Sequence, residues 1–133
     1  MALKLKAASS ADDTDWFVFI KDEAPDGSER TITRGFLKAS HRATDPNKST
    51  VWRPWHPHDK AQPLRPGEAY DYDIEIIPTC NLFKAGHRLR IEIASCDPAA
   101  NLIYTHEPMP RVVTNTIQTG QGGSRLLVPF IPR

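Results

Sequence analysis

The sequence predicts an all-β protein whose most favoured architecture is a jelly-roll β-sandwich, with a closed barrel as the second choice. Twelve prolines in 133 residues leave little room for long helices, because each would cost about 3 kcal/mol inside one. The segments between the prolines alternate apolar and polar residues, which is typical of strands with one buried face. About eight such short strands in a chain of this length favour two packed sheets.

Four strands are predicted in the first third of the chain. Residues 3–7 place lysines on one side only, whereas residues 16–21 are apolar on both faces and are therefore expected at the centre of a sheet. Residues 29–33 follow a Pro-Asp-Gly turn signal at 24–27, which predicts a hairpin. A separate strand is expected at residues 36–41.

The clearest alternation in the chain lies at residues 70–77, where aromatic and aliphatic side chains take one face and three carboxylates take the other. Residues 87–95 repeat this pattern with two arginines on the polar face. As antiparallel neighbours, the two strands would gain about 0.2–1 kcal/mol from each opposite-charge pair. Residues 111–119 and 125–131 complete the set, with a glycine-rich turn at 120–123 between them.

Residues 43–67 do not follow the strand pattern, although they hold five of the prolines, two of the three tryptophans and two of the five histidines. Such a long loop is usually functional, docked on a neighbour or disordered, and the tryptophans argue against disorder. Trp52 and Trp55 form an aromatic patch that suits either stacking on a sugar ring or docking on another protein surface. The sequence leaves both interpretations open.

The densest group of potential metal ligands is His56, His58 and Asp59. A catalytic zinc site needs three protein ligands and a structural site needs four, and Pro57 restricts how the two rings converge. We expect these histidines to bond to nearby backbone and the chain to hold no metal and no cofactor. Trp52, Trp55, His56 and His58 are the candidate interface or ligand-contact residues.

Charge and composition exclude several classes of function. Seventeen basic residues against sixteen acidic ones give a net charge of +1, and no basic run is available to follow a nucleic-acid backbone. The longest apolar run is far shorter than the ~20 residues that span a bilayer. The sequence therefore predicts no nucleic-acid or membrane partner and a cytoplasmic location. Ser124 lies in a glycine-rich turn without the Gly-x-Ser-x-Gly motif, so no catalytic residue is expected.

Four runs, in order, carry a resemblance to a known family: TDWFVFIKDEAPDGSERTITRGFLKASHR, WRPWHPHD, PLRPGEAYDYDIEIIPTCNLFKAGHRLRIEIAS and TNTIQTG. Together they resemble the C-terminal domain of the X-Pro dipeptidyl-peptidase and cocaine esterase group of serine hydrolases, also called CocE/NonD hydrolases. The resemblance spans nearly the whole chain, and it depends on the combined spacing of its glycines and prolines.

The resemblance implies a jelly-roll sandwich similar to galactose-binding domains, packed on an α/β-hydrolase domain that carries the catalytic triad. Residues 1–133 would then be a single accessory domain of a larger protein, either a fragment or the product of a split gene, and inactive by itself. It would wall the active-site cleft, stabilise the catalytic domain or provide a dimer contact. The alternative is a freestanding carbohydrate-binding module. A second copy of the chain is a further partner that the sequence leaves open.

Overall fold

Two antiparallel sheets make up the fold. The computed structural model describes residues 1–96 and 112–131. Within them, seven strands and one short 3-10 turn follow each other. The bounds are β1 Ala2–Ser9, β2 Asp15–Glu23, β3 Glu29–Lys38, the 3-10 turn Ala39–His41, β4 Ala69–Glu75, β5 Arg88–Ala94, β6 Asn115–Ile117 and β7 Arg125–Leu127. The all-β sandwich prediction is confirmed, whereas jelly-roll connectivity stays a prediction.

The first sheet is built around β1. Strand β4 pairs with one edge of β1 along its whole length, from Ala2 opposite Glu75 to Ala8 opposite Ala69. The other edge of β1 is shared by β6 and β7, which pair with its two ends. The turn between β6 and β7 corresponds to the predicted glycine-rich turn. The predicted strands at 111–119 and 125–131 are thus shorter than expected, and residue 111 lies outside the described residues.

The second sheet has the order β3-β2-β5, so the central position predicted for the doubly apolar strand is confirmed. The hairpin is also confirmed: Ala24 N donates to Ser28 O at 2.9 Å, and Gly27 has a φ of +83°. The prediction of two separate strands at 29–33 and 36–41 was wrong. Strand β3 stays paired with β2 along its length, and the register shifts by one residue between the pairs Ile20–Thr33 and Lys21–Thr31, as at a β-bulge.

The proposed pairing of β4 with β5 was also wrong, because the two strands lie in different sheets. The arginines of β5 instead face β2, where Arg88 Nη2 lies 2.8 Å from Glu23 Oε1. On β4, Asp73 Oδ2 lies 2.8 Å from Lys4 Nζ of β1. The long connection between β4 and β5 crosses from one sheet to the other, which alternation alone does not reveal.

The core lies between the two sheets. Trp16 of β2 and Tyr72 of β4 are fully buried, with ring centroids 5.4 Å apart, and burial raises the pKa of Tyr72 to about 12. The predicted apolar face of β4 is therefore confirmed. On β5 the predicted face is only partly buried, since Ile91 remains 39% exposed. The buried cluster contains Leu3, Leu5, Ala7, Trp16, Val18, Ile20, Leu37, Ala39, Leu64, Tyr72, Ile74 and Ile76.

The sheets approach most closely where β3 meets the end of β4. Ile77 N donates to Arg34 O at 3.0 Å, and Thr33 Oγ1 donates to Ile77 O at 2.7 Å. Gly35 lies within this junction, and a Cβ there would be only 2.2 Å from Glu75 O. Only glycine lets the two backbones come this close.

Candidate functional site

Residues 43–67, here called the crossover loop, run from the second sheet to the first and are tied to the sandwich at their C-terminal end. Gln62 N donates to Ser40 O at 2.7 Å and Leu64 N donates to Asp12 O at 2.6 Å. The Leu64 side chain is 4% exposed and joins the core. The C-terminal end of the loop is therefore ordered and packed on the sandwich, in agreement with the argument against disorder.

The first part of the crossover loop folds back on itself around Trp55. Asp45 N donates to Trp55 O, and Trp55 N donates to Ser49 Oγ, each at 2.9 Å. Lys48 Nζ lies 4.1 Å from the centroid of the Trp55 ring, which is a cation-π geometry. The backbone of Trp55 is thus held firmly, and one face of its ring is covered.

Three large apolar side chains near this turn remain open to solvent. Val51 is 53% exposed, Trp52 is 45% exposed and Trp55 is 36% exposed; we call these three residues the loop patch. Arg53, between them, places its Nε 3.7 Å from Glu75 Oε1 at the end of β4. The loop patch therefore lies on a segment that is linked to the sandwich rather than on a free tail.

The prediction that the loop histidines bond to backbone is confirmed for His56 and stays a prediction for His58. Its Nδ1 lies 3.0 Å from Ala43 O, and its Nε2 lies 2.8 Å from Asp73 O of β4, the edge strand of the first sheet. Both ring nitrogens therefore face carbonyl oxygens, which only accept hydrogen bonds. Neither nitrogen is left to bind a metal ion. Within residues 1–96 and 112–131, no group of three or more His, Cys, Asp or Glu side chains is placed to hold one.

His58 lies next to His56 and beside a histidine that sequence reasoning missed. The ring centroid of His58 is 5.7 Å from that of His56 and 5.3 Å from that of His41. His58 has a φ of +55°, a left-handed conformation that is uncommon outside glycine. The sequence offered no signal for His41, because it belongs to the 3-10 turn after β3 and meets the loop only through the fold.

An open groove of about 320 Å³ runs past this histidine cluster. Its walls come from the end of β3, the 3-10 turn and the crossover loop. Burial lowers the pKa of His58, and the neighbouring imidazoles His56 and His41 lower it further because a second positive charge is unfavourable there. The lining residues are Phe36, Leu37, Lys38, His41 and His58.

Ser124 has no catalytic surroundings. Its Oγ accepts a hydrogen bond from Lys6 N at 3.0 Å and donates to Gln118 O at 2.8 Å. Both contacts are with backbone groups, so the hydroxyl fastens the turn between β6 and β7. In the part of the chain that the structure describes, no helix has the length and apolar character needed to cross a membrane.

The chain is similar to a non-catalytic domain of one hydrolase family and to part of two esterases. A family model described as the X-Pro dipeptidyl-peptidase C-terminal non-catalytic domain matches residues 1–127. A candidate serine esterase of Mycobacterium bovis is 35% identical over 73% of this chain and 16% of its own length. Cocaine esterase of a Rhodococcus species is 27% identical over 100% of this chain and 23% of its own length.

A solved structure shows the same likeness in three dimensions. The crystal structure of a CocE/NonD family hydrolase from Staphylococcus aureus superposes with a TM-score of 0.66 and 29% sequence identity. That match covers 72% of this chain and 20% of the staphylococcal chain. This chain therefore spans no more than a quarter of the length of any of these relatives.

Proposed function

This chain belongs to the X-Pro dipeptidyl-peptidase C-terminal non-catalytic domain family, and we propose that it serves a larger serine hydrolase as an accessory domain. In this proposal residues 1–133 form one β-sandwich domain, and the partner is an α/β-hydrolase domain of the same protein. The reaction of the whole protein is hydrolysis of an ester or of an X-Pro peptide bond. The two relatives named as esterases support the ester reaction, and the description of the family supports the X-Pro reaction.

The observation that carries the proposal is the loop patch. A backbone held by hydrogen bonds at Asp45 and Ser49 presents two tryptophans and Val51 to solvent. An aromatic side chain buries about 150–250 Å² in all, and Trp52 and Trp55 are already more than half buried, so the patch would supply only a minor part of the ~800 Å² that one partner contributes to a standard interface. Preorganised aromatic residues of this kind are typical interface anchors.

We propose that the hydrolase domain covers the loop patch. Once docked there, the sandwich would stabilise the catalytic domain and form one wall of its active-site cleft. A wall of this kind excludes water from the reaction and limits the size of the acyl group. In this arrangement His56 holds the crossover loop against β4, and His58 lines the groove beside the loop.

A freestanding sugar-binding module is not favoured. Lys48 lies over one face of Trp55, which leaves less of that ring open for stacking on a sugar. The family that the chain belongs to is described as a domain of hydrolases. A second copy of the chain is the alternative occupant of the loop patch, as a dimer contact. We place the protein in the cytoplasm, where the two free thiols Cys80 and Cys96 would stay reduced.

The first test is to sequence the DNA that flanks the coding region. We expect a reading frame that contains Gly-x-Ser-x-Gly and continues into this one. A start site and promoter directly before Met1, with no such frame, would overturn the proposal.

The second test uses the joined protein. Trp52→Ser is expected to lower the temperature at which esterase activity is lost, because it removes an anchor between the domains. Leu82→Ser is the matched control, since Leu82 is 65% exposed and lies outside the loop patch. Equal effects of the two substitutions would contradict docking through the patch. Concentration-dependent dimers that Trp52→Ser abolishes would assign the patch to a second copy instead.

A further inference from the structure

We propose that β5 pairs with β5 of a second copy of this chain, so that the second sheets of two molecules join into one continuous sheet. β5 lies at one end of the strand order β3-β2-β5, and β2 is its only neighbour among the described strands. The edge of β5 that faces away from β2 is the proposed docking surface. It lies on a different element from the loop patch, so this inference does not depend on what covers that patch.

The backbone along this edge is open to a partner strand. In the described part of the chain, β5 pairs with β2 alone, and none of the turn and loop hydrogen bonds reaches Arg88–Ala94. Ile91, at the middle of the strand, is 39% exposed. The other long edge strands are each met by another segment, since Asp73 O of β4 contacts the crossover loop and Arg34 O of β3 accepts from Ile77 N. An uncovered row of backbone N–H and C=O groups is a template for a further strand.

β5 lacks the features that commonly keep edge strands from pairing. Such strands are often very short, interrupted by proline, bent by a bulge or marked by a charge that points inward. β5 has seven residues and no proline, and its register with β2 runs without a shift from Arg88 to Ala94, unlike that of β3. Leu89, Ile91 and Ile93 share the face that points to the core, so the charged side chains of β5 all lie on the outer face of the sheet.

Two-fold symmetry and the sequence of β5 select one register for the pair. Directly opposite residues of antiparallel strands lie on the same face of a sheet. When the two-fold axis passes through Ile91, all seven residues have partners, and Ile91 meets its own copy while Leu89 meets Ile93. On the outer face Arg90 then meets Glu92 of the second copy. A shift of the axis by one residue instead brings two Arg90 or two Glu92 side chains together and leaves two residues of each strand unpaired, so opposite charges meet only about Ile91.

These opposite charges can meet across the axis while the ion pairs within each sheet persist. In the described contacts Arg90 reaches Glu23 and Glu29 through Nη1, and Glu92 reaches Lys21 through Oε2. A guanidinium carries further N–H donors and a carboxylate has a second oxygen, so both side chains can bind the second copy as well. Glu23 and Glu29 also offset the positive charge of Arg90, which weakens the repulsion between two approaching copies of β5.

The first experiment measures association of the full 133-residue chain by sedimentation equilibrium. One strand from each copy is a smaller contact than a standard interface, so we expect a weak dimer that forms between about 10 µM and about 1 mM. Arg90→Glu and Glu92→Arg each place like charges opposite one another, and each should raise the Kd at least about tenfold. A mixture of the two variants places acidic residues of one chain opposite basic residues of the other, and it should restore the dimer. Tryptophan fluorescence verifies that each variant is folded.

Three results of this experiment would overturn the proposal. The first is a wild-type chain that stays monomeric at the highest concentration, and the second is a mixture of the two variants that associates no better than either variant alone. The third is association that persists in both β5 variants and disappears in Trp52→Ser, which would assign the contact to the loop patch. We expect Trp52→Ser to associate as the wild type does, because Trp52 lies outside β5.

The second experiment traps the contact without changing any charge. Ile91→Cys is made in a chain whose own thiols are removed by Cys80→Ser and Cys96→Ser, so that one thiol lies on the two-fold axis. The Cα atoms of directly opposite residues are about 4.5–5.5 Å apart, which a disulfide can span. Leu82→Cys is the matched control, since Leu82 is 65% exposed and lies outside β5. Mild oxidation should cross-link Ile91→Cys at least about tenfold faster than the control, and equal rates would overturn the proposal.

A strand of the hydrolase domain is the other possible occupant of this edge. Amide hydrogen exchange of β5, measured in the dilute joined protein and in this chain at the same concentration, distinguishes the two occupants. Equally fast exchange of the β5 amides that face away from β2 would support the second copy. Protection of these amides in a monomeric joined protein would assign the edge to the hydrolase domain and overturn the proposal.

Discussion

The contact between β3 and the end of β4 gives a sharp test of how the two sheets are joined, through Gly35→Ala. The added Cβ would lie 2.2 Å from Glu75 O and 2.8 Å from Ile76 Cδ1, whereas real Cβ contacts essentially never fall under 3.0 Å. The nearest obstacle is a backbone oxygen, so a change of side-chain rotamer gives no relief. The end of β4 must move away by about 0.8 Å or more.

The loss of stability in Gly35→Ala follows from the contacts that this movement disrupts. Overpacking of this kind typically costs about 1–3 kcal/mol. The same displacement weakens the hydrogen bonds from Ile77 N to Arg34 O and from Thr33 Oγ1 to Ile77 O, each worth about 1 kcal/mol. We therefore expect Gly35→Ala to lower the free energy of unfolding by about 3–4 kcal/mol.

Urea denaturation, followed through tryptophan fluorescence to which the buried Trp16 contributes, measures this loss. The double variant Gly35→Ala with Ile76→Val separates the two obstacles, because it removes the Cδ1 contact and leaves the Glu75 oxygen in place. We expect no rescue beyond the separate effect of Ile76→Val. A loss below about 1 kcal/mol for Gly35→Ala, or a full rescue in the double variant, would refute the close approach described here.

Two further predictions concern side chains that tie loops to strands. Burial by itself would raise the pKa of Asp13, but its contacts with Ser40 and Lys38 outweigh this and lower the pKa below 3.8. Asp13→Asn should therefore lower the free energy of unfolding by about 1–2 kcal/mol at pH 7. In urea titrations at about pH 3 the difference between the variant and the wild type should be smaller, because the wild-type carboxyl begins to take up a proton. Ser124→Ala should lower the free energy of unfolding by about 1–2 kcal/mol, because Lys6 N loses its acceptor. The amide of Lys6 should then exchange its hydrogen faster than in the wild type. Unchanged exchange would contradict the assignment.

The residues of the candidate site were only partly predictable. Trp52, Trp55, His56 and His58 stand out because their residue types are unusual in a proline-rich loop, and the backbone role of His56 followed from the weakness of the metal-site pattern. The residues that contact these side chains could not be identified from the sequence. Lys48 over Trp55 and His41 beside His58 are ordinary residues until the loop folds back.

Local sequence pattern was enough to locate most of the strands and to identify the buried face of β4, although it divided β3 in two and overstated the burial of β5. Alternation of side chains has a period of two in any strand, so the buried face of β4, the doubly buried β2 and the Pro-Asp-Gly hairpin could be read from local pattern. The pairing of the strands was visible only in the folded chain, because register between segments far apart in sequence depends on packing across the whole core. For this reason β4 joined β1 instead of β5, Gly35 became the point where two backbones meet, and His41 came to lie beside the crossover loop.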